Sequence, residues 1–177
     1  MLRSHDIAVA IKLLETKGTL QVPTFASLAN SLILSASEVH AAVKRGLEAG
    51  LLRKPLSNVS RSMPVPNSTA LAEFLIHGLK YIWPVTAGAT GRGVATGASL
   101  PQVAQVLNLS ASPVSTVWLH PEGDLRGESI KPLYAQAAAV ALKDPFMHEW
   151  LALLDLVRAK AGREATLAAD HIQDRLS

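Results

Sequence analysis

The stretch SASEVHAAVKRGLEAGLL, Ser35 to Leu52, carries polar side chains at helical spacing. Ser37, His40, Ala41 and Lys44 follow one another at three, one and three residues, so a helix would line them along one face. A hydroxyl, an imidazole and an ammonium together donate hydrogen bonds and attract anions. The alanine among them permits close approach. Near a helix N-terminus, Ser37 would be joined by unpaired backbone amides, which favour a phosphate. Arg45 follows Lys44, and Arg53, Lys54, Asn58, Ser60 and Arg61 continue the polar series. Between Ser35 and Ser62 there are five cations (Lys44, Arg45, Arg53, Lys54, Arg61) and two anions, Glu38 and Glu48. That excess equals the net charge of +3 of the whole 177-residue chain, so the basic character is local.

These side chains need a helix, and the local signals supply one. Ser35 and Glu38 fit the S-x-x-E capping box, in which each side chain satisfies an unpaired backbone amide. Val39, Val43 and Leu47 form an inward stripe, and Gly50 suits the left-handed residue after the helix. Upstream, Asp6 to Lys17 reads as a first helix with Ile7, Ile11 and Leu14 in register, ended by Gly18. Thr24 caps a short helix, FASLANS, and LIL at 32–34 makes the turn. Downstream, LLRKPL and SMPVP read as two short extended segments, with pairing limited by proline. Ser68 to Ile82 is amphipathic through Leu71, Phe74, Leu75 and Leu79, and Trp83-Pro84 closes it.

Helix, short extended connector (Thr19 to Val22), helix, turn, capped helix, hairpin, helix is the order of a winged helix-turn-helix. Residues 5–82, and TFASLANSLILSASEVHAAVKRGLEAGLLRKP in particular, resemble the MarR-like winged-helix regulators. The resemblance implies a supporting helix at 24–31 and a recognition helix at 36–49 that enters the major groove, with the wing touching the flanking backbone. It implies DNA contacts from Ser35, Ser37, His40, Ala41, Lys44, Arg45, Arg53, Lys54, Asn58 and Arg61. Ser37, His40 and Lys44 would read base edges. Arg45, Arg53, Lys54 and Arg61 would hold phosphates, with an affinity that weakens in salt. Two features depart from the pattern. Gly46 stands where a bulky core residue is usual, and the wing is short and proline-rich.

The remainder divides into a Gly/Ala/Pro-rich irregular segment, 84–143, and C-terminal helices, 144–177. Within the first, LPQVAQVLN suggests a short helix and STVWL a short strand, while GATGRGVATG (88–97) reads as a flexible loop without the ending of a phosphate-binding loop. VWLHPEGDLRGESIKPLY resembles stretches of uncharacterised bacterial winged-helix proteins, which implies that this middle part belongs to one architecture. Asp144 caps and Pro145 opens FMHEWLALLDLVRAKAG, and REATLAADHIQDRL makes a final helix with Leu167, Ile172 and Leu176. These apolar stripes either pack on the first domain or form a homodimer.

Other chemistry finds little support. There is no cysteine, hence no disulfide or thiolate nucleophile. His120, Glu122, Asp124, Arg126 and Glu128 cluster in HPEGDLRGE, which reads more simply as a turn. His148-Glu149 lacks a second histidine at zinc-protease spacing, and no Gly-x-Ser-x-Gly occurs. The N-terminus is interrupted by charges, unlike a signal peptide, and no apolar run approaches the roughly 20 residues of a membrane span. The expectation is a cytoplasmic, mostly α protein with an N-terminal winged helix-turn-helix, a three-helix core plus β-hairpin wing, and a C-terminal helical extension. It would be no enzyme, would carry no cofactor or metal, and would act as a dimeric, sequence-specific regulator on double-stranded DNA. The alternative is an adaptor or antitoxin-like partner that docks a protein on the winged helix.

Overall fold

The computed structural model describes residues 1–16, 22–55, 63–110, 114–159 and 162–177. The chain is mostly helical, with one two-stranded and one three-stranded sheet. It divides into two compact units, Met1–Leu71 and Ala72–Ser177. The division falls earlier than the expected boundary at residue 83. Among the described residues, no helix is long and apolar enough to cross a membrane.

The first unit holds α1 (Ser4–Glu15), α2 (Phe25–Leu32), α3 (Ala36–Glu48) and the strands β1 (Leu52–Arg53) and β2 (Val65–Pro66). Both short-range caps form as the sequence suggests. Thr24 and Ser27 exchange side chain–backbone hydrogen bonds at 3.0 and 2.9 Å, and Ser35 and Glu38 do so at 3.2 and 2.8 Å. Between them, Ile33 takes the left-handed conformation at φ 52°, which is rare for a β-branched residue and makes the turn tight. Gly50 takes it at φ 74°. The helices pack through Ile7, Ile11, Leu28, Leu32, Val39 and Val43, all buried. Leu47 is only half-buried, so Ala42 and Gly46 complete the inner face of α3 in its place. The unusual glycine has a steric reason. A Cβ at Gly46 would lie 2.8 Å from Leu52 Cδ1, where β1 crosses α3. The strands pair antiparallel, Leu52 with Pro66 and Arg53 with Val65.

The second unit corrects the reading of 84–143 as irregular. After α4 (Ser68–Glu73), a π-helical turn (Phe74–Gly78) and α5 (Leu79–Ile82) comes β3 (Ala87–Ala95), in the stretch expected to be a flexible loop. A 3₁₀ turn (Gly97–Ser99), α6 (Pro101–Val106), β4 (Thr116–Leu119) and β5 (Leu125–Ile130) follow, then α7 (Ala137–Ala141), α8 (Pro145–Arg158) and α9 (Arg163–Leu176). The expected helix in LPQVAQVLN and strand in STVWL are α6 and β4. β3 pairs antiparallel with both β4 and β5, while β4 and β5 pair in parallel, so the three strands close on themselves. Gly93 of that stretch and Gly127 of β5 are what let the strands approach. A Cβ at Gly93 would lie 2.1 Å from the Trp118 carbonyl oxygen, and one at Gly127 2.2 Å from that of Ser115.

Helix α8 is the core of this unit. Every residue from Leu151 to Arg158 is buried, and α5, α6, α7 and α9 all pack on the helix. Its apolar stripe is therefore used inside the unit, as are Ala168, Ile172 and Leu176 of α9, whereas Leu167 is half-buried. Asp155 and Arg158 lie within this apolar surround. Asp155 accepts hydrogen bonds from Thr96 Oγ1 (2.8 Å), Trp118 Nε1 (2.7 Å) and Arg158 Nη1. Arg158 also donates to the carbonyls of Trp83 (2.7 Å), Pro84 (3.4 Å) and Lys131 (3.3 Å). One buried pair thus ties α8 to the residues just after α5, to the residue after β3, to β4, and to the segment after β5.

His148, on the same helix, has Nε2 2.7 Å from the Ala95 carbonyl and its ring 5.8 Å from that of Trp118. The carbonyl is an acceptor, so Nε2 carries the proton there. Burial pushes the His148 pKa below its ordinary 6.5, partly opposed by that hydrogen bond and by Asp124. The unfolded chain then binds the proton more readily than the folded one. Stability is present above pH 6.5 and is lost as pH falls through the depressed folded value. Thermal unfolding followed from pH 7.5 down to 5 is expected to show that decline, and His148→Gln to flatten it.

Candidate nucleic-acid interface

Helix α3 presents its outer face because its inner face is fixed on α1 and α2. Ser37, His40 and Lys44 are exposed on that face, and Ala41 beside them is half-buried. The His40 ring is supported from below by Phe25 of α2, centroid to centroid 5.2 Å. Phe25 was not among the residues expected to matter here, although its place directly after the Thr24 cap aims it at α3. Arg53, in β1, and Lys54 after it are exposed, so the hairpin adds two cations to the same unit. Asn58 and Arg61, together with Ser60, lie outside the described residues.

Two expected contacts are placed differently. Arg45 does not stand free. Its Nε and Nη2 donate to Asp6 Oδ2 and Oδ1 at 2.7 and 2.6 Å, and His5 Nε2 lies 3.2 Å from Nη2. Asp6 is in the first turn of α1 and only 3 % exposed, so the pair fastens α1 to the last turn of α3. The hydrogen bonds to Asp6 push the Arg45 pKa further above its ordinary value. The sequence signal was an acid among apolar residues, HDIAVAI, which calls for a cationic partner once buried. Ser35, for its part, is engaged in the cap. Its Oγ lies 2.7 Å from Glu38 Oε2 and 3.1 Å from Ser37 Oγ.

The electrostatics of the α3 N-terminus follow from that cap. The Ser35 hydroxyl, then its amide, holds the Glu38 carboxyl below its ordinary pKa of 4.5. A carboxylate thus occupies the end of the helix where a phosphate would otherwise sit. The cationic groups lie instead toward the other end, at Lys44, and on the hairpin. At the C-terminal end, Asn67 Nδ2 donates to the Gly50 carbonyl at 3.1 Å, and the Asn67 amide donates to the Leu51 carbonyl at 2.9 Å, pinning the turn between α3 and β1 to the residues after β2.

The acidic stretch of the second unit takes the form of a turn. His120 to Gly123 close through Gly123 N to the His120 carbonyl at 3.1 Å, and the Glu122 amide lies 3.2 Å from His120 Nδ1. Among the described residues no group of three His, Asp or Glu is arranged to hold a metal ion.

No protein-family model, curated protein or solved structure matches the chain.

Proposed function

We propose that the first unit is a winged helix-turn-helix and that the protein is a sequence-specific regulator of the MarR-like kind, acting on double-stranded DNA. The observation that carries this reading is the outer face of α3. Ser37, His40 and Lys44 are exposed together on a helix whose other side is buried, with Arg53 and Lys54 on the adjoining hairpin. On this reading α2 supports, α3 enters the major groove and the β1–β2 hairpin is the wing. Ser37 and His40 contact base edges. Lys44 reaches guanine acceptors or phosphate, Arg53 and Lys54 neutralise phosphates, and Arg45 orients α3 through Asp6 rather than touching DNA. The protein works as a homodimer in the cytoplasm, without a cofactor and without enzymatic activity; sedimentation that finds only the 18.8 kDa chain at micromolar concentration would count against the dimer.

Binding to the DNA upstream of the protein's own gene, against a scrambled duplex over a salt series, tests the reading. Selective binding with a steep salt dependence is expected. Lys44→Ala should weaken binding several-fold and reduce the slope of log K against log salt by about one. No binding to either duplex at low salt would sink the proposal. The second reading, a protein-docking adaptor, draws on the engagement of Arg45 by Asp6 and on the Glu38 carboxylate at the leading end of α3. Both lower the positive charge available to a phosphate backbone. Co-purification with a partner protein and no retained DNA would favour it.

A further inference from the structure

The second unit contains a cavity of about 200 Å³, bounded by the 3₁₀ turn, β4, β5, the end of α8 and the start of α9. A cavity of about 150 Å³ is enough to hold a benzene ring. This one is below the roughly 300–1,000 Å³ of sites that enclose drug-sized ligands. It therefore suits a small metabolite-sized molecule. Val85, Ile130 and Leu156 give it an apolar wall, and Ser99 and Thr116 add hydroxyls. Ser99 Oγ already accepts from the Thr116 amide at 2.8 Å, which leaves its own proton to donate.

Among the described residues the charged lining has one sign. Asp155 and Glu164 line the cavity there, and no described lysine, arginine or histidine does. The two carboxylates differ in what they can still bind. Asp155 is buried, with Oδ2 taken by Thr96 and Trp118 and Oδ1 by Arg158. Glu164, in the first turn of α9, is exposed and has no hydrogen-bond or ion-pair partner among the described residues. The acceptor with spare capacity therefore stands at the wet end, where an ammonium can pair without losing its hydration. The apolar wall is left for the body of the ligand.

We propose that this cavity binds a small amphipathic amine, with its apolar body against Val85, Ile130 and Leu156 and its ammonium on Glu164. The proposal is independent of the DNA-binding reading.

Three probes of one shape and different charge test it on the full chain: benzylamine, benzyl alcohol and benzoate. Benzylamine should raise the thermal midpoint in a saturable manner, by about 3 °C at ten times its Kd. Benzyl alcohol should bind several-fold more weakly, and benzoate should give no saturable shift. Glu164→Gln, a surface substitution, should bring benzylamine down to the level of the alcohol. Ala159→Leu, which fills the cavity from its exposed edge, should remove both responses. The proposal is overturned by an absent benzylamine response, by equal responses to all three probes, or by a response that survives Glu164→Gln unchanged.

Discussion

Replacing Asp155 by alanine should destabilise the second unit by about 3–5 kcal/mol, the range measured when one partner of a buried ion pair is removed. The loss exceeds that of one hydrogen bond because of what remains. Arg158 is 2 % exposed and would keep its charge with only carbonyl oxygens around it. The Thr96 hydroxyl and the Trp118 indole N–H, both fully buried, would lose their acceptor. Burial pushes the Asp155 carboxyl upward in pKa, opposed by Arg158, Thr96 and Trp118. That opposition shows how far the charge depends on those three neighbours. The readout is selective, since Trp83, Trp118 and Trp150, the three tryptophans of the chain, all lie in the second unit. Urea unfolding followed by their fluorescence should show the midpoint fall. The double substitution Asp155→Leu, Arg158→Met should recover much of the loss, because removing both charges leaves no buried ion unpaired. A single-site loss below about 1 kcal/mol would mean that the network is not formed in solution.

The same pair marks where sequence reading ran out. Short-range chemistry was legible. Ser35 with Glu38, Thr24 as a cap, Gly50 as a left-handed residue and Asp144 before Pro145 are local devices, and each occurs where the residue types placed it. The outer face of α3 was legible for the same reason, since a helical period fixes which residues oppose Val39 and Val43. Partners distant in sequence were not. Asp6 and Arg45 are 39 residues apart, and nothing in either neighbourhood names the other. Arg45 carries the same charge as Lys44, yet only Lys44 is exposed. Asp155 and Arg158, inside LALLDLVR, did carry a signal. An acid and a base three apart on an otherwise apolar helix can be buried only as a pair, but nothing local points to their partners, Thr96 just after the unforeseen β3 and Trp118 in the expected strand STVWL. Strand β3 lacks the alternation that announces a half-buried strand. Its first four residues are exposed, and burial begins only at Gly93.

Gly93→Ala is expected to cost about 3 kcal/mol or more, at the upper end of what overpacking does, because the added carbon meets backbone rather than a side chain that can turn away. A Cβ there would lie 2.1 Å from the Trp118 carbonyl oxygen and 2.7 Å from its carbon. Relief would require β3 and β4 to separate at the Gly93–Leu119 pairing, where β5 also meets β3 through Leu125. Gly123 faces the same point from the other side, its Cβ position 2.1 Å from the Gly93 carbonyl. Gly91→Ala, two residues earlier on the same strand, is the control. Its Cβ would meet Leu119 Cδ2 at 2.6 Å, the far end of a side chain that is 55 % exposed and can rotate into solvent. That substitution should cost less than about 1 kcal/mol. Both replace glycine by alanine in one strand, so backbone entropy and strand propensity largely cancel in the comparison. What is left is the distance between two backbones. If tryptophan-monitored unfolding gave the two variants equal midpoints, β3 would not pack against β4 as closely as this, and the closed three-stranded arrangement would have to be abandoned.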